Sequence, residues 1–138
     1  MKLRIAKSIM LVVALALPVW AEVAVVANPS VGASEISADE LKRVFLGAKS
    51  SLSDGSAVEP VLMQSGAAHE SFLKEYVGKT DAALRNHFKS LVFTGKGSMP
   101  KSFASDADVV AYVAKTKGAI GYVGNAAAAA GVKRLAVK

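Results

Sequence analysis

The chain has 138 residues, with no cysteine and only two histidines. The absence of cysteine excludes a disulfide bond, a thiolate metal site and a cysteine nucleophile within this sequence. The two histidines, His69 and His87, do not form the H-x3-H pair of a zinc-binding helix. We therefore predict no metal site and no cofactor, and we expect both histidines to be surface or half-buried side chains.

Motifs of enzymatic chemistry are also missing. The sequence has no nucleophile elbow, no paired-carboxylate motif and no phosphate loop of the form Gly-x4-Gly-Lys-Ser/Thr. The acidic pairs Asp39-Glu40 and Asp106/Asp108 lie at predicted helix starts, where capping and the helix dipole account for them. The sequence therefore predicts a protein that is not an enzyme.

The N-terminal apolar run covers residues 9–19 and is shorter than the roughly 20 residues that span a bilayer. It follows three basic residues and precedes Val19-Trp20-Ala21, which fits a small-x-small cleavage site. We interpret residues 1–21 as a cleavable signal peptide and residues 22–138 as a single exported domain. An uncleaved N-terminal anchor is the alternative.

The formal net charge of +6 falls to +3 when the three basic residues of the signal peptide are removed. A charge of +3 scattered along the domain does not predict nucleic-acid binding, and it supports only a mild attraction to small anions. An exported domain without disulfide bonds fits a bacterial periplasm as well as an extracellular space. We predict a periplasmic protein, without membrane insertion after the signal peptide is cleaved.

Hydrophobic patterns divide the domain into alternating strands and helices. The predicted strands cover residues 23–27, 58–63, 119–123 and 132–137. The predicted helices follow the N-cap residues Ser37, Thr80 (or Asp81) and Ser105, or cover residues 67–77 and 125–130. The first strand is apolar throughout, which is typical of a parallel sheet with both faces covered. The predicted fold class is α/β, with a mostly parallel sheet of about four strands flanked by helices.

Three segments together resemble the phosphate-binding proteins of bacterial phosphate ABC transporters. Leu41–Lys49 resembles their "IF-x-G-K" helix end, and Phe93–Gly97 resembles the segment before their penultimate helix. Gly118–Val123 matches their "GAIGYV" strand. The three segments also occur in the same order and at a similar spacing. The resemblance implies the type II periplasmic binding fold, reduced to a single three-layer lobe because the chain has too few residues for a second.

In that family an arginine, an aspartate and a Ser-Gly-Thr step lie around the start of a ligand-binding helix. If Phe72 is aligned without gaps, Gln64 stands in the place of the arginine and Gly66 in the place of the aspartate. If Ser65-Gly66-Ala67 is aligned with Ser-Gly-Thr, the helix-start donors remain and the threonine hydroxyl is missing. Neither alignment restores the arginine–aspartate pair.

We predict a small-anion site at the carboxyl ends of the strands, where open α/β sheets bind their ligands. At residues 64–67 a strand leads into a helix, whose first N–H groups attract anions. An ordinary N-cap without a ligand is the alternative. The loops at residues 28–31 and 94–98 would contribute, with a mobile surface loop as the alternative for the second. The candidate residues are Asn28, Ser30, Gln64, Ser65, Gly66, Ala67, Thr94, Gly95 and Lys96.

Two functions are open at this point. The first is a periplasmic solute-binding-like protein that binds a small oxyanion such as phosphate weakly, because a single lobe leaves its ligand open to water. A homodimer, or an envelope or transporter partner protein, would close over the ligand. The second is a periplasmic interaction or regulatory module that has kept the fold and lost ligand binding, which the missing arginine–aspartate pair favours.

Overall fold

The computed structural model of the chain describes residues 23–124 and 130–138. The predicted signal peptide, residues 1–21, and residues 125–129 of the predicted alanine helix lie outside the described residues. Within those two described ranges, no helix is both long enough and apolar enough to cross a membrane.

The strands form one large sheet and one small one. They are β1 (Ala24–Ala27), β2 (Glu35–Ile36), β3 (Glu59–Pro60), β4 (Leu62–Met63), β5 (Ser102–Phe103), β6 (Ala119–Val123) and β7 (Lys133–Val137). The large sheet has the order β2-β7-β1-β6-β3, and β4 and β5 pair separately as a parallel ribbon. The predicted α/β class is confirmed, with five strands in the main sheet because the two-residue β2 is too short to leave a sequence pattern.

The main sheet is mixed, which corrects the predicted mostly parallel arrangement. β1 is antiparallel to both of its neighbours, β6 and β7, whereas β2–β7 and β3–β6 are parallel. All four residues of β1 are buried, as the sequence predicts. Burial on both faces arises here because helices cover both sides of the sheet, and such cover does not require parallel neighbours.

The predicted strand at residues 58–63 is a single extended segment that changes its partner halfway. β3 pairs with β6, and the Val61 N–H still donates to the Ile120 carbonyl over 2.9 Å. The segment then leaves the main sheet, and as β4 it pairs with β5. Pro60 is tolerated because β3 is an edge strand. This change of partner directs the end of β4 toward the start of the next helix.

The helices match the predicted segments closely. They are α1 (Ala38–Phe45), α2 (Ala67–Phe72), α3 (Asp81–Phe93) and α4 (Asp106–Lys115), and a π-helical turn, Leu73–Val77, continues α2. The side-chain oxygens of Ser37, Thr80 and Ser105 accept hydrogen bonds from backbone N–H groups in the first turns of α1, α3 and α4. The predicted N-caps of these three helices are therefore confirmed.

The core has three layers, as the predicted single lobe requires. Successive residues of β6 point to opposite faces of the sheet. A side chain added at Gly121 would meet Val109 and Val113 of α4, at 3.0 and 3.5 Å. On the other face the Tyr122 ring stacks on Phe72, with centroids 3.9 Å apart, and also approaches Phe45 of α1. Helix α4 thus covers one face of the sheet, and α1 and α2 cover the other.

Candidate functional site

The strand-to-helix step at residues 64–67 lies open at the carboxyl end of β4. Gln64, Ser65, Gly66 and Ala67 are all exposed. The Gln64 N–H still donates to the Phe103 carbonyl over 2.8 Å, so the ribbon ends at this residue. Gly66 has a φ of 107°, and α2 has no side-chain cap. The first N–H groups of α2 therefore lie at an exposed step and have no capping side chain.

The end of β6 reaches the same edge of the molecule. A side chain added at Gly124 would come within 2.9 Å of the Ala68 Cβ, so the absence of a side chain lets β6 approach α2. The Gly124 N–H donates to Asp106 Oδ1 over 3.2 Å. The start of α4 therefore also lies at this edge, where it contributes the carboxylate of Asp106.

The structure does not bring Asn28 and Ser30 to this edge. Because β1 runs antiparallel to β6, its end lies beside the beginning of β6. The Asn28 amide donates to the carbonyls of Val113 and Ala114, and the Ser30 hydroxyl accepts from the Gly118 N–H. These side chains connect β1, α4 and the turn before β6 at the opposite end of the sheet.

The glycine-rich loop that follows α3 is also separate from the step. The Thr94 hydroxyl donates to the Ser90 carbonyl, and the Lys96 N–H donates to the Leu91 carbonyl, so both groups close the end of α3. Lys96 lines a groove that includes residues 58–60 at the beginning of the β3–β4 segment. Gly95 has a φ of 70° and forms part of the same turn. Of the three predicted loops, only Gln64–Ala67 lies at the carboxyl edge of β4.

His69 is the residue that sequence reasoning misplaced. The sequence predicts a surface or half-buried position, whereas the side chain is 1% exposed and lies beneath the start of α2. Its ring lies parallel to that of Tyr122, with centroids 6.0 Å apart. The residues around His69 in the sequence do not indicate that its side chain is buried. Its burial depends on packing against Tyr122, which comes from β6.

The buried imidazole is hydrogen-bonded through both of its nitrogens. The Tyr122 hydroxyl lies 2.5 Å from His69 Nδ1 and accepts the Met63 N–H over 3.0 Å. Burial raises the pKa of the Tyr122 hydroxyl, so it keeps its proton and donates to Nδ1. His69 Nε2 then donates to Asp81 Oδ1 over 2.7 Å. In this arrangement His69 Nδ1 is the acceptor and Nε2 is the donor.

Arg85 closes these contacts into a ring. Its Nε donates to Asp81 Oδ2 over 2.8 Å, and its Nη2 lies 3.4 Å from the Gln64 carbonyl oxygen. The hydrogen bonds therefore start at the N–H of Met63 and return at the carbonyl of Gln64, the next residue. We call this set the Met63–Gln64 ring. It consists of Met63, Tyr122, His69, Asp81, Arg85 and Gln64.

The hydroxyl–imidazole–carboxylate order in this ring is also that of a hydrolytic triad. A nucleophile must reach its substrate, however, and Tyr122 is fully buried. His69 is equally closed off. The ring therefore fixes the direction of the strand-to-helix step and does not present a reactive group.

Arg85 provides the cation that the residues of the step lack. Its side chain is 34% exposed, and it comes from α3 rather than from the strand-to-helix step. The i,i+4 spacing of Asp81 and Arg85 was the available sequence signal, and it predicts a helix-surface ion pair. Only the packing of α3 against the step reveals that this pair lies beside Gln64.

Acidic groups limit the positive potential at this edge. The Arg85 hydrogen bond holds the pKa of Asp81 below its usual value, with a smaller contribution from His69 and an opposing effect of burial. Asp106 and Glu70 add carboxylates in the first turns of α4 and α2. Among the described residues no group of three or more metal-ligating side chains could hold a metal ion.

We expect Asp81→Asn to destabilise the protein at neutral pH and to lose this effect in acid. A carboxyl group whose pKa is lowered by folding stabilises the protein above its unfolded value, near 3.8 for Asp81. That stabilisation disappears as the pH falls through the lower, folded pKa. Urea unfolding of both proteins, measured at successively lower pH, should show the two free energies converging. Asp39→Asn, in the exposed pair with Arg43, is the matched control. A difference that is independent of pH would contradict the role of Asp81.

Solved structures with a similar fold include three proteins from different bacteria. PstS from Borrelia burgdorferi has a TM-score of 0.63 at 14% identity, over 84% of this chain and 47% of that protein. An ABC-type phosphate transport receptor from Vibrio cholerae has a TM-score of 0.53 at 10% identity, over 83% and 45%. A possible phosphate binding protein from Planctomyces limnophilus has a TM-score of 0.59 at 18% identity, over 84% and 41%.

These similarities confirm the predicted resemblance at the level of the fold. The chain spans less than half the length of the three structures, in agreement with a single lobe. No protein-family model and no curated protein matches the chain.

Proposed function

We propose that this chain is a solute-binding-like protein related to the substrate-binding components of phosphate ABC transporters, and that it binds a small oxyanion such as phosphate weakly. The fold shared with PstS, with an ABC-type phosphate transport receptor and with a possible phosphate binding protein supports this proposal. The observation that carries it is the pairing of an uncapped helix start with a guanidinium group. The start of α2 has no capping side chain, and Arg85 Nη2 lies 3.4 Å from the Gln64 carbonyl at the same step. Helix-start N–H groups and arginine are both suited to oxyanions.

The binding should be weak for two physical reasons. All four residues of Gln64–Ala67 are exposed, so water competes with the protein for the ligand. Arg85 is already paired with Asp81, so an incoming anion shares its charge with a carboxylate. A second copy of the chain, or a transporter or envelope protein, would have to cover this edge to strengthen binding. The signal peptide predicted from residues 1–21 would place this activity in the periplasm.

Calorimetric titration with phosphate, sulfate and acetate tests the proposal. We expect heat at millimolar phosphate, and we expect Arg85→Gln to weaken binding by about tenfold because it removes a charge-assisted hydrogen bond. Arg43→Gln is the matched control, since Arg43 forms the same kind of i,i+4 pair with Asp39 on exposed α1. An absence of heat with all three anions, or equal losses in the two variants, would contradict the proposal.

The second candidate is a periplasmic interaction or regulatory module without a ligand. The Met63–Gln64 ring favours it, because two N–H groups of Arg85 already donate within the ring, to Asp81 and to the Gln64 carbonyl. A protein that gives no heat with any anion, and that recovers a specific partner from a periplasmic extract, would support this candidate over the first.

A further inference from the structure

One short segment holds the exposed large hydrophobic side chains of the described residues. Val92 is 50% exposed, Phe93 is 93% exposed and Met99 is 41% exposed. They lie in Val92–Met99, eight consecutive residues that are all exposed. We call this segment the α3 tip. Exposed apolar side chains grouped in this way are typical of surfaces that bind a protein, a membrane or a ligand.

The α3 tip has a defined backbone conformation. The Lys96 N–H donates to the Leu91 carbonyl over 2.8 Å, and the Gly95 N–H donates to the Val92 carbonyl over 3.1 Å. Leu91 contacts Gly97, where a side chain would come within 3.3 Å of the Leu91 Cβ. Leu91 is thus the last side chain of α3 that is partly buried. Phe93 is exposed where the backbone hydrogen bonds of Gly95 and Lys96 end the helix.

The charges around the α3 tip have a single sign along the chain. Residues 82–105 contain no aspartate and no glutamate. The cations in this stretch are Arg85, Lys89, Lys96 and Lys101. Lys89 lies four residues before Phe93, and therefore on the same face of α3. Glu59 is the acidic residue among those that line the same groove as Lys96. Its carboxylate accepts a hydrogen bond from the Tyr112 hydroxyl.

We propose that the α3 tip rests on an anionic lipid surface, with the Phe93 ring in the interface and Lys89 and Lys96 at the headgroups. The chain would lie on the bilayer and would not span it. An aromatic ring beside basic side chains is the combination that binds such an interface. The tip projects outward and carries one sign of charge, which suits a deformable anionic surface better than a protein surface of mixed charge. The inference does not depend on oxyanion binding at Gln64–Ala67.

Fluorescence of an F93W variant tests this placement directly. With vesicles of phosphatidylglycerol and phosphatidylcholine in equal parts, the emission should shift to the blue and should be quenched by brominated lipid. The natural tryptophan, Trp20, lies in the predicted signal peptide, directly after the apolar run, so the same chain without the substitution provides the background. Vesicles of pure phosphatidylcholine should give a much smaller shift. An F93W signal that does not respond to anionic vesicles would overturn the proposal.

Substitutions of the cations and of the ring distinguish lipid binding from the binding of a soluble anion or of a protein. Lys96→Gln should weaken vesicle binding by about fivefold, and Phe93→Ala by about tenfold. Arg134→Gln, at an exposed site on β7, should leave vesicle binding unchanged. Thermal unfolding should be the same in all three variants.

Free phosphate at matched ionic strength should not displace the vesicles, and displacement would identify a soluble-anion site instead. Loss of self-association in Phe93→Ala, without any vesicle binding by the parent chain, would identify a protein interface instead.

Discussion

Tyr122→Phe is expected to lower the free energy of unfolding by about 2–4 kcal/mol, with a fall in Tm of about 10 °C. The substitution keeps the aromatic ring and its stacking on Phe72, and it removes only the hydroxyl. The Met63 N–H and His69 Nδ1 then lose their partner in a fully buried place. An unpaired buried polar group costs more than the hydrogen bond itself contributed. Chemical denaturation followed by circular dichroism measures the loss.

Tyr112→Phe is the matched control for this prediction. The Tyr112 hydroxyl also forms hydrogen bonds, to Glu59 and from Lys101, but it lies where water can replace them. We expect a loss below about 1 kcal/mol for this variant. Similar losses in the two variants would mean that the Met63–Gln64 ring does not stabilise the fold. The same pair should be examined by calorimetry, because a displaced strand-to-helix step would also alter anion binding.

Gly118→Ala is expected to cost about 3 kcal/mol or more, and in the extreme to prevent folding. Gly118 has a φ of 77°, and a side chain there would come within 2.6 Å of the Ala57 carbonyl oxygen. That oxygen belongs to the backbone just before β3, so it cannot move without displacing the strand. Expression level, far-ultraviolet circular dichroism and denaturant unfolding measure the effect.

Gly78→Ala separates the two causes of this loss. Gly78 has a similar φ of 72°, and a side chain there would meet nothing within 4 Å. It should therefore cost only the strain of the left-handed conformation, about 1 kcal/mol. Equal losses at the two positions would show that the contact with Ala57 is not the cause.

Local patterns in the sequence predicted the elements well. The strand at residues 119–123 has the predicted bounds, and the N-caps Ser37 and Ser105 bond to their helices as expected. These features depend on neighbouring residues and on the alternation of apolar side chains. The sequence alone therefore contains the information needed to locate them.

The candidate site could be predicted only in part, because strand direction is not a local property. Asn28 and Ser30 follow a strand, as Gln64 does, and in a parallel sheet they would share its edge. The antiparallel pairing of β1 with β6 places them at the opposite end. His69 and Arg85 were missed for a related reason. Their roles come from contacts between α2, α3 and β6, which no single segment of sequence reveals.

The position of β1 at the centre of the sheet also determines when the protein can fold. Ala24 pairs with Val123, and Val25 pairs with Leu135, so the central strand depends on contacts about 100 residues away along the chain. Folding is slow in such a case, because the chain loses the entropy of closing a long loop before the strand contacts can stabilise it. While the chain is being synthesised, β1 remains without its partners until β6 and β7 have been added. The native pairing of β1 therefore forms only after both of these strands have been synthesised.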